Sequence, residues 1–200
     1  MKKLVLASII GMLSCSVMAA SPNDIVRSAA DSLEAAIEGR KDELSADQDA
    51  LFAVVDQVLL PIFDRHYAAQ LVLGRHWRNA SDDERSEFIQ AFYQSMLRKY
   101  GEGVLRFDQS SLEILPFRGD DTKPRVTVRT IVRLDDGTKV PVNYGFVNRD
   151  TGWMMFDVTI EGISYVRNYR TEINAEIQAK GLRAVIDRMN GQPKTATATE

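Results

Sequence analysis

The apolar residues of this chain change their spacing once, near residue 112, and that switch limits the fold more than any other feature. Before it they recur every three or four positions, as on amphipathic helices; after it they alternate, as on half-buried strands. Helices first and strands second predict an α+β domain whose helices pack on one face of an antiparallel sheet.

Punctuation divides the helical half. Ser21-Pro22-Asn23-Asp24 reads as a helix start, with Ser21 as N-cap and Pro22 in the first turn, and Ile25, Ala29, Leu33 and Ile37 then form a stripe. Ser45 and Gln48 have capping-box spacing, and Leu51, Val54, Val55, Val58 and Leu59 make a wider apolar face up to Pro61. A third helix is expected over Asp64 to Leu73, stopped by Gly74. Ser81 and Glu84 form another capping box, opening a long helix with Phe88, Ile89, Phe92, Tyr93, Met96, Leu97 and Tyr100 along it before Gly101.

Four strands then follow: Leu112 and Ile114; Val126, Val128, Thr130 and Val132; Val140, Val142, Tyr144 and Phe146; and the stretch from Trp153 to Ile160. Asp135-Asp136-Gly137 and Asn148-Arg149-Asp150-Thr151-Gly152 supply the hairpin turns of a meander. The last strand is expected to turn straight into a helix capped by Ser164, which runs to about Lys180; Gly181 breaks it, and Leu182 to Met189 resume it. There is no internal repeat.

Residues 1–20 combine Lys2 and Lys3, an apolar run from Leu4 to Met12 and a small-residue exit at Val17-Met18-Ala19-Ala20, the pattern of a secretory signal peptide. A lipoprotein anchored on Cys15 is the rival reading, and Met12-Leu13-Ser14 makes a poor lipobox for it. Cys15 is the one cysteine, so a chain cut after Ala19 or Ala20 carries no thiol and no disulfide. Residues 21–190 suit one domain, large enough to stand on its core alone, and residues 191–200 are expected to be disordered. The net charge of -3 becomes -5 once Lys2 and Lys3 are removed, which disfavours nucleic acid as a partner.

Candidates for chemistry are few. His66 and His76 are the two histidines, ten positions apart across Gly74, and no nucleotide, metalloprotease or serine-hydrolase motif occurs. One enzyme reading remains, an isomerase-like site with Asp157 as base and Tyr93, Tyr100 or Tyr144 as donors. Against it, Asp157 can take hydrogen bonds from the Gly162 to Ser164 turn or pair with Arg170. Arg125, Arg129 and Arg133 share one face of their strand, either solvated or docking a partner protein. Arg75, Arg78, Arg98, Lys99 and Arg106 cluster near helix ends, where they complement helix C-termini or meet a lipid phosphate.

Three blocks in order carry a family resemblance. They are Leu71-Val72-Leu73-Gly74-Arg75-His76-Trp77, the Ser81 to Tyr100 helix, and Trp153 through Ser164 running on to Arg170. With Leu73, Gly74 and Trp77, then Phe88 and Tyr100, then Trp153, Asp157, Gly162 and Ser164, the chain resembles the MlaC or toluene-tolerance family of periplasmic phospholipid-binding proteins from about Asp24 to Met189. The resemblance implies a curved, NTF2-like sheet over a deep apolar cavity. It implies a periplasmic carrier, not an enzyme, with phospholipid as cargo in place of a cofactor. Its implied partners are an inner-membrane lipid ABC transporter complex and an outer-membrane lipoprotein complex, between which it maintains outer-membrane lipid asymmetry.

Periodicity alone reads Phe92, Tyr93, Met96, Leu97, Tyr100, Val128, Val142, Tyr144, Phe146 and Met155 as a solid core. The resemblance makes them the walls of a lipid cavity, a use that adaptable methionines and aromatic rings suit. A carrier must enclose the acyl tails. A diacyl lipid exposes about 30 methylenes, and at roughly 0.8 kcal/mol each the penalty in water is on the order of 20 kcal/mol. An adaptor that binds protein alone is the further alternative.

Overall fold

Capping residues set most of the helix boundaries in the computed structural model, which describes residues 20–106, 111–120, 122–134 and 136–191. Five helices come first: α1 (Pro22–Ile37), α2 (Lys41–Ala46), α3 (Gln48–Leu59), α4 (Arg65–Leu73) and α5 (Asp82–Tyr100). Strands β1 (Leu112–Ile114), β2 (Arg125–Arg133), β3 (Lys139–Arg149), β4 (Gly152–Ile160) and β5 (Ile163–Ser164) follow, and α6 (Tyr165–Met189) ends the fold. The expected signal peptide with Cys15, the tail from residue 192, and Asp135 lie outside the described residues. No described helix is long and apolar enough to cross a membrane.

Ser21 caps α1 through Asp24 N–H, Asp64 caps α4 through Tyr67 N–H, and Ser81 and Glu84 complete a reciprocal capping box on α5. Two local expectations need correction. α3 is capped by Asp47, whose carboxylate accepts from Ala50 N–H, and Ser45 belongs to the short α2. The buried stripe of α1 is Val26, Ala30, Leu33 and Ile37, one position round from Ile25 and Ala29, which are half-buried.

The five strands form one antiparallel sheet in sequence order. It has one strand more than expected, because Glu161 (φ 50) and Gly162 (φ 84) make a tight turn that pairs Ile163 back onto Ile160 before α6 begins. Beyond β4, Ile62 to Asp64 add a short parallel bridge, with Met155 N–H donating to Ile62 O and Asp64 N–H to Met155 O, each at 2.7 Å. A bulge at Gly145/Phe146 shifts the β3–β4 register, so Met155 and Val158 lie on the same face despite their unequal parity.

Helices bury that face. Val128 and Phe146 are fully buried there, and the aromatic centre of the core is Phe88 stacked on Phe92 at 5.8 Å, with Tyr169 edge-on to Phe92 at 5.3 Å. α6 is held at both ends. Ser164 hydroxyl and Val166 N–H donate to the two Asp157 oxygens at 2.6 and 3.0 Å, and Arg98 donates to Met189 O at the other end. Gly181 (φ 82, ψ 163) breaks α6 where the sequence places the break.

α4 and α6 meet at Gly74, whose φ of 53 and ψ of -117 exclude a side chain, and a Cβ there would sit 3.0 Å from the Arg170 guanidinium. Gly74→Ala is expected to cost about 1–3 kcal/mol, lowering the thermal midpoint by several degrees in circular dichroism. Gly39→Ala, at φ 69 with open space around it, is expected to lose less.

Candidate functional site

Between α3, α5 and β4 the core stays open. The cavity has a volume of about 420 Å³, and every side chain on its wall is aliphatic, aromatic or a thioether, with Gly101 and Gly103 completing it. α5 supplies Tyr93, Met96, Leu97 and Tyr100, spaced to share one helical face. Val55 and Leu59 come from α3, Met155, Val158 and Ile160 from β4, and Phe63 from the bridge beside it.

Burial falls from one end to the other. Val55, Phe63, Tyr93, Leu97 and Met155 are buried, while Leu59, Tyr100, Val104, Ile160 and Tyr165 are half-buried and Gly103 is exposed. The deep end is therefore closed and the mouth lies where the segment after α5 faces the end of β4. Ile163, opposite Ile160 across the turn, is 62% exposed, so the rim is apolar as well. A narrow extension of about 40 Å³ leads past Tyr100 and Tyr165, whose rings lie 4.8 Å apart, to Phe156 and Val166 at the edge of β4.

Two contacts define the walls. Tyr93 donates to Asp56 at 2.6 Å, which ties α5 to α3, and Arg65 lies over the Tyr93 ring at 5.3 Å. At the end of α5, a Cβ on Gly101 would sit 2.8 Å from the Phe52 ring, so glycine permits the close approach of the two elements.

Of the ten residues expected on the wall, Tyr93, Met96, Leu97, Tyr100 and Met155 line this cavity. Phe92, Val128, Val142 and Phe146 are buried in the packed core, and Tyr144 is half-buried against it; none of these five is on the wall. Val128, Val142, Tyr144 and Phe146 share the inward parity of the sheet, and Phe92 lies on α5 against the rings of Phe88 and Tyr169. Sequence reading missed Val55, Leu59, Phe63, Val104, Val158, Ile160 and Tyr165. Inward alternation pointed to Val158 and Ile160; nothing local marks Phe63 or Tyr165, which come from a bridge and a helix start.

The alternative chemical candidates are used structurally. Both Asp157 oxygens hold the start of α6, and Tyr93 is bonded to Asp56. His66 lies edge-on to Trp77 at 5.0 Å, and His76 Nε2 is 3.0 Å from Asn174 Oδ1. Arg98 complements the C-terminus of α6, and Lys99 lies 5.4 Å from the centres of both the Tyr100 and Tyr169 rings; the Arg106 side chain is outside the described residues. Among the described residues no cluster of three His, Cys, Asp or Glu is placed to hold a metal ion.

A family model described as MlaC protein matches residues 27–191. The chain belongs to the MlaC family. Two relatives span most of it. Toluene tolerance protein ttg2D of Pseudomonas putida is 24% identical over 166 residues, covering 82% of this chain and 77% of that protein. The intermembrane phospholipid transport system binding protein MlaC of Haemophilus influenzae is 21% identical over 173 residues, covering 84% and 80%. A solved structure of a phospholipid-binding protein from Ralstonia solanacearum, in complex with a phospholipid, superposes with a TM-score of 0.77. At 23% identity, over 86% of this chain and 96% of that one, it shares the fold. The residues that carry the sequence resemblance divide by place: Trp77 and Phe88 are in the core, Asp157 and Ser164 form the α6 corner, and Tyr100 reaches the cavity.

Burial also governs the phenols. It holds the Tyr93 hydroxyl well above the ordinary phenol range, helped by Asp56, and raises Tyr169, helped by Tyr100. It raises Tyr144, against a hydrogen bond with Thr130, and Tyr165, helped by Tyr100. These groups favour the neutral form in the fold, so their contribution is complete below the ordinary phenol value of about 10 and is lost as pH rises above it. The urea midpoint is therefore expected to hold up to about pH 10 and then fall, with phenolate absorbance appearing as the protein unfolds. Tyr93→Phe is expected to soften that fall.

Proposed function

We propose that this MlaC-family protein is a periplasmic carrier that encloses phospholipid acyl chains in the cavity between α3, α5 and β4. One observation carries the reading: a cavity of about 420 Å³ with no charged side chain on its wall, opening at an apolar rim. Left dry and unfilled, a void of that volume would cost on the order of 10 kcal/mol, as much as the whole stability of a typical domain. An apolar occupant offsets that cost, and its own exposure to water is removed in the same step.

The acyl tails enter the cavity while the headgroup stays in water at its mouth. Such a site distinguishes headgroups weakly, because its contacts are with the tails.

In this reading residues 1–20 export the chain, residues 21–190 form the lipid-binding domain, and lipid passes between an outer-membrane lipoprotein complex and an inner-membrane ABC transporter complex. The MlaC membership and the intermembrane transport role named for the Haemophilus influenzae relative support it. No reaction is assigned to the carrier. Val158→Trp, at a half-buried wall position, is expected to reduce extraction of a fluorescent phospholipid from vesicles by about tenfold or more. Ile131→Trp, on the opposite face of the sheet, should leave extraction unchanged; equal extraction by both variants and the parent protein would refute the cavity as the lipid site.

A further inference from the structure

Beside β4, where the narrow extension of the cavity ends, lies a second concavity of different chemistry. Arg125 from β2, with Arg167 and Arg170 one turn apart on α6, lines a groove of about 430 Å³. Gly145 leaves its floor without a side chain, Thr127 and Thr159 add hydroxyls, and Leu71 and Phe156 add apolar surface. All three arginines are exposed.

Their charge has little to neutralise it. One carboxylate, Asp157, lines the groove with the three arginines, and it accepts from Ser164 and Val166. Among the described residues no acid forms an ion pair with Arg125, Arg167 or Arg170, whereas Arg40, Arg85, Arg149, Arg183 and Arg188 each have one. Arg125 makes a long contact, 3.5 Å, with the Tyr67 hydroxyl. In a chain of net charge -3, three guanidiniums against one carboxylate leave an excess of positive charge in one groove.

We propose that this groove is a docking site for a carboxylate-bearing segment of a partner protein. Guanidinium forks pair with carboxylates through two parallel hydrogen bonds, and Leu71 and Phe156 offer contact to an apolar residue set between the acids. A concavity between a helix and a sheet admits side chains, whereas the plane of lipid headgroups in a bilayer cannot enter it. The groove adjoins the narrow extension of the apolar cavity, and Phe156, Asp157 and Val166 line both. The proposal does not depend on the lipid reading.

The test is titration of isotopically labelled protein, followed by NMR, with a Glu-Glu-Leu-Glu-Glu peptide and its Gln-Gln-Leu-Gln-Gln counterpart. The acidic peptide is expected to give saturable shifts at the Thr127, Gly145 and Thr159 amides that weaken with added salt. The glutamine peptide should give none. Arg125→Glu with Arg167→Glu should weaken binding by about tenfold or more, and Arg125→Gln with Arg167→Gln, which adds no like charge, should weaken it in the same direction with the fold retained. Shifts that are absent, spread over the surface, equal for both peptides or unaltered by the substitutions would overturn the proposal. So would phosphatidylglycerol vesicles that bind through these arginines while the peptide does not.

Discussion

The apolar face of a twisted sheet has to be covered, and the way helices cover this one decides everything else about the protein. Where Phe88, Phe92, Phe146 and Tyr169 are buried, side chains fill the space. Beside β4 they do not. There Tyr93 ties α5 to α3 through Asp56, and the two helices span the space in front of Met155 and Val158 without filling it. One continuous core thus has a solid part that supplies stability and an open part that can be given to a ligand.

This division assigns different tasks to the two faces of one sheet. Inward residues of β2 to β4 are aliphatic and aromatic, so that face can exchange apolar contacts with helices or with acyl chains. Outward positions carry Arg125, Thr127, Arg129 and Thr159, and α6 adds Arg167 and Arg170 to them across a groove. The corner made by Asp157, Ser164 and Val166 is what lets α6 serve both sides, because it fixes the helix start at the edge of β4. Asp157, the base of the isomerase-like reading, accepts one bond at each oxygen, from the cap Ser164 and from the Val166 backbone.

Much of this was legible before any coordinates. The switch of apolar spacing separates helices from strands, and capping residues locate the starts of α1, α4, α5 and α6. The two-residue β5 escaped notice because a strand so short has no period; its signal was the Glu161-Gly162 pair, which suits a tight turn. The α5 part of the cavity was legible because Tyr93, Met96, Leu97 and Tyr100 share a helical face. Phe92 on α5, and Val128, Val142, Tyr144 and Phe146 on β2 and β3, also point inward and yet sit against packed neighbours, since periodicity shows which way a side chain points and not how far away the opposing wall stands. Phe63, Val104 and Tyr165 reach the cavity by tertiary placement, and the bulge at Gly145/Phe146 alters the parity that would have joined Met155 to Val158.

The most direct test of lipid carriage is native mass spectrometry with solvent extraction on the protein purified without detergent from a Gram-negative periplasm. The account predicts co-purified phospholipid in the protein, with adduct masses matching the extracted lipids. A ligand-free protein that also takes up no phospholipid from vesicles would contradict it.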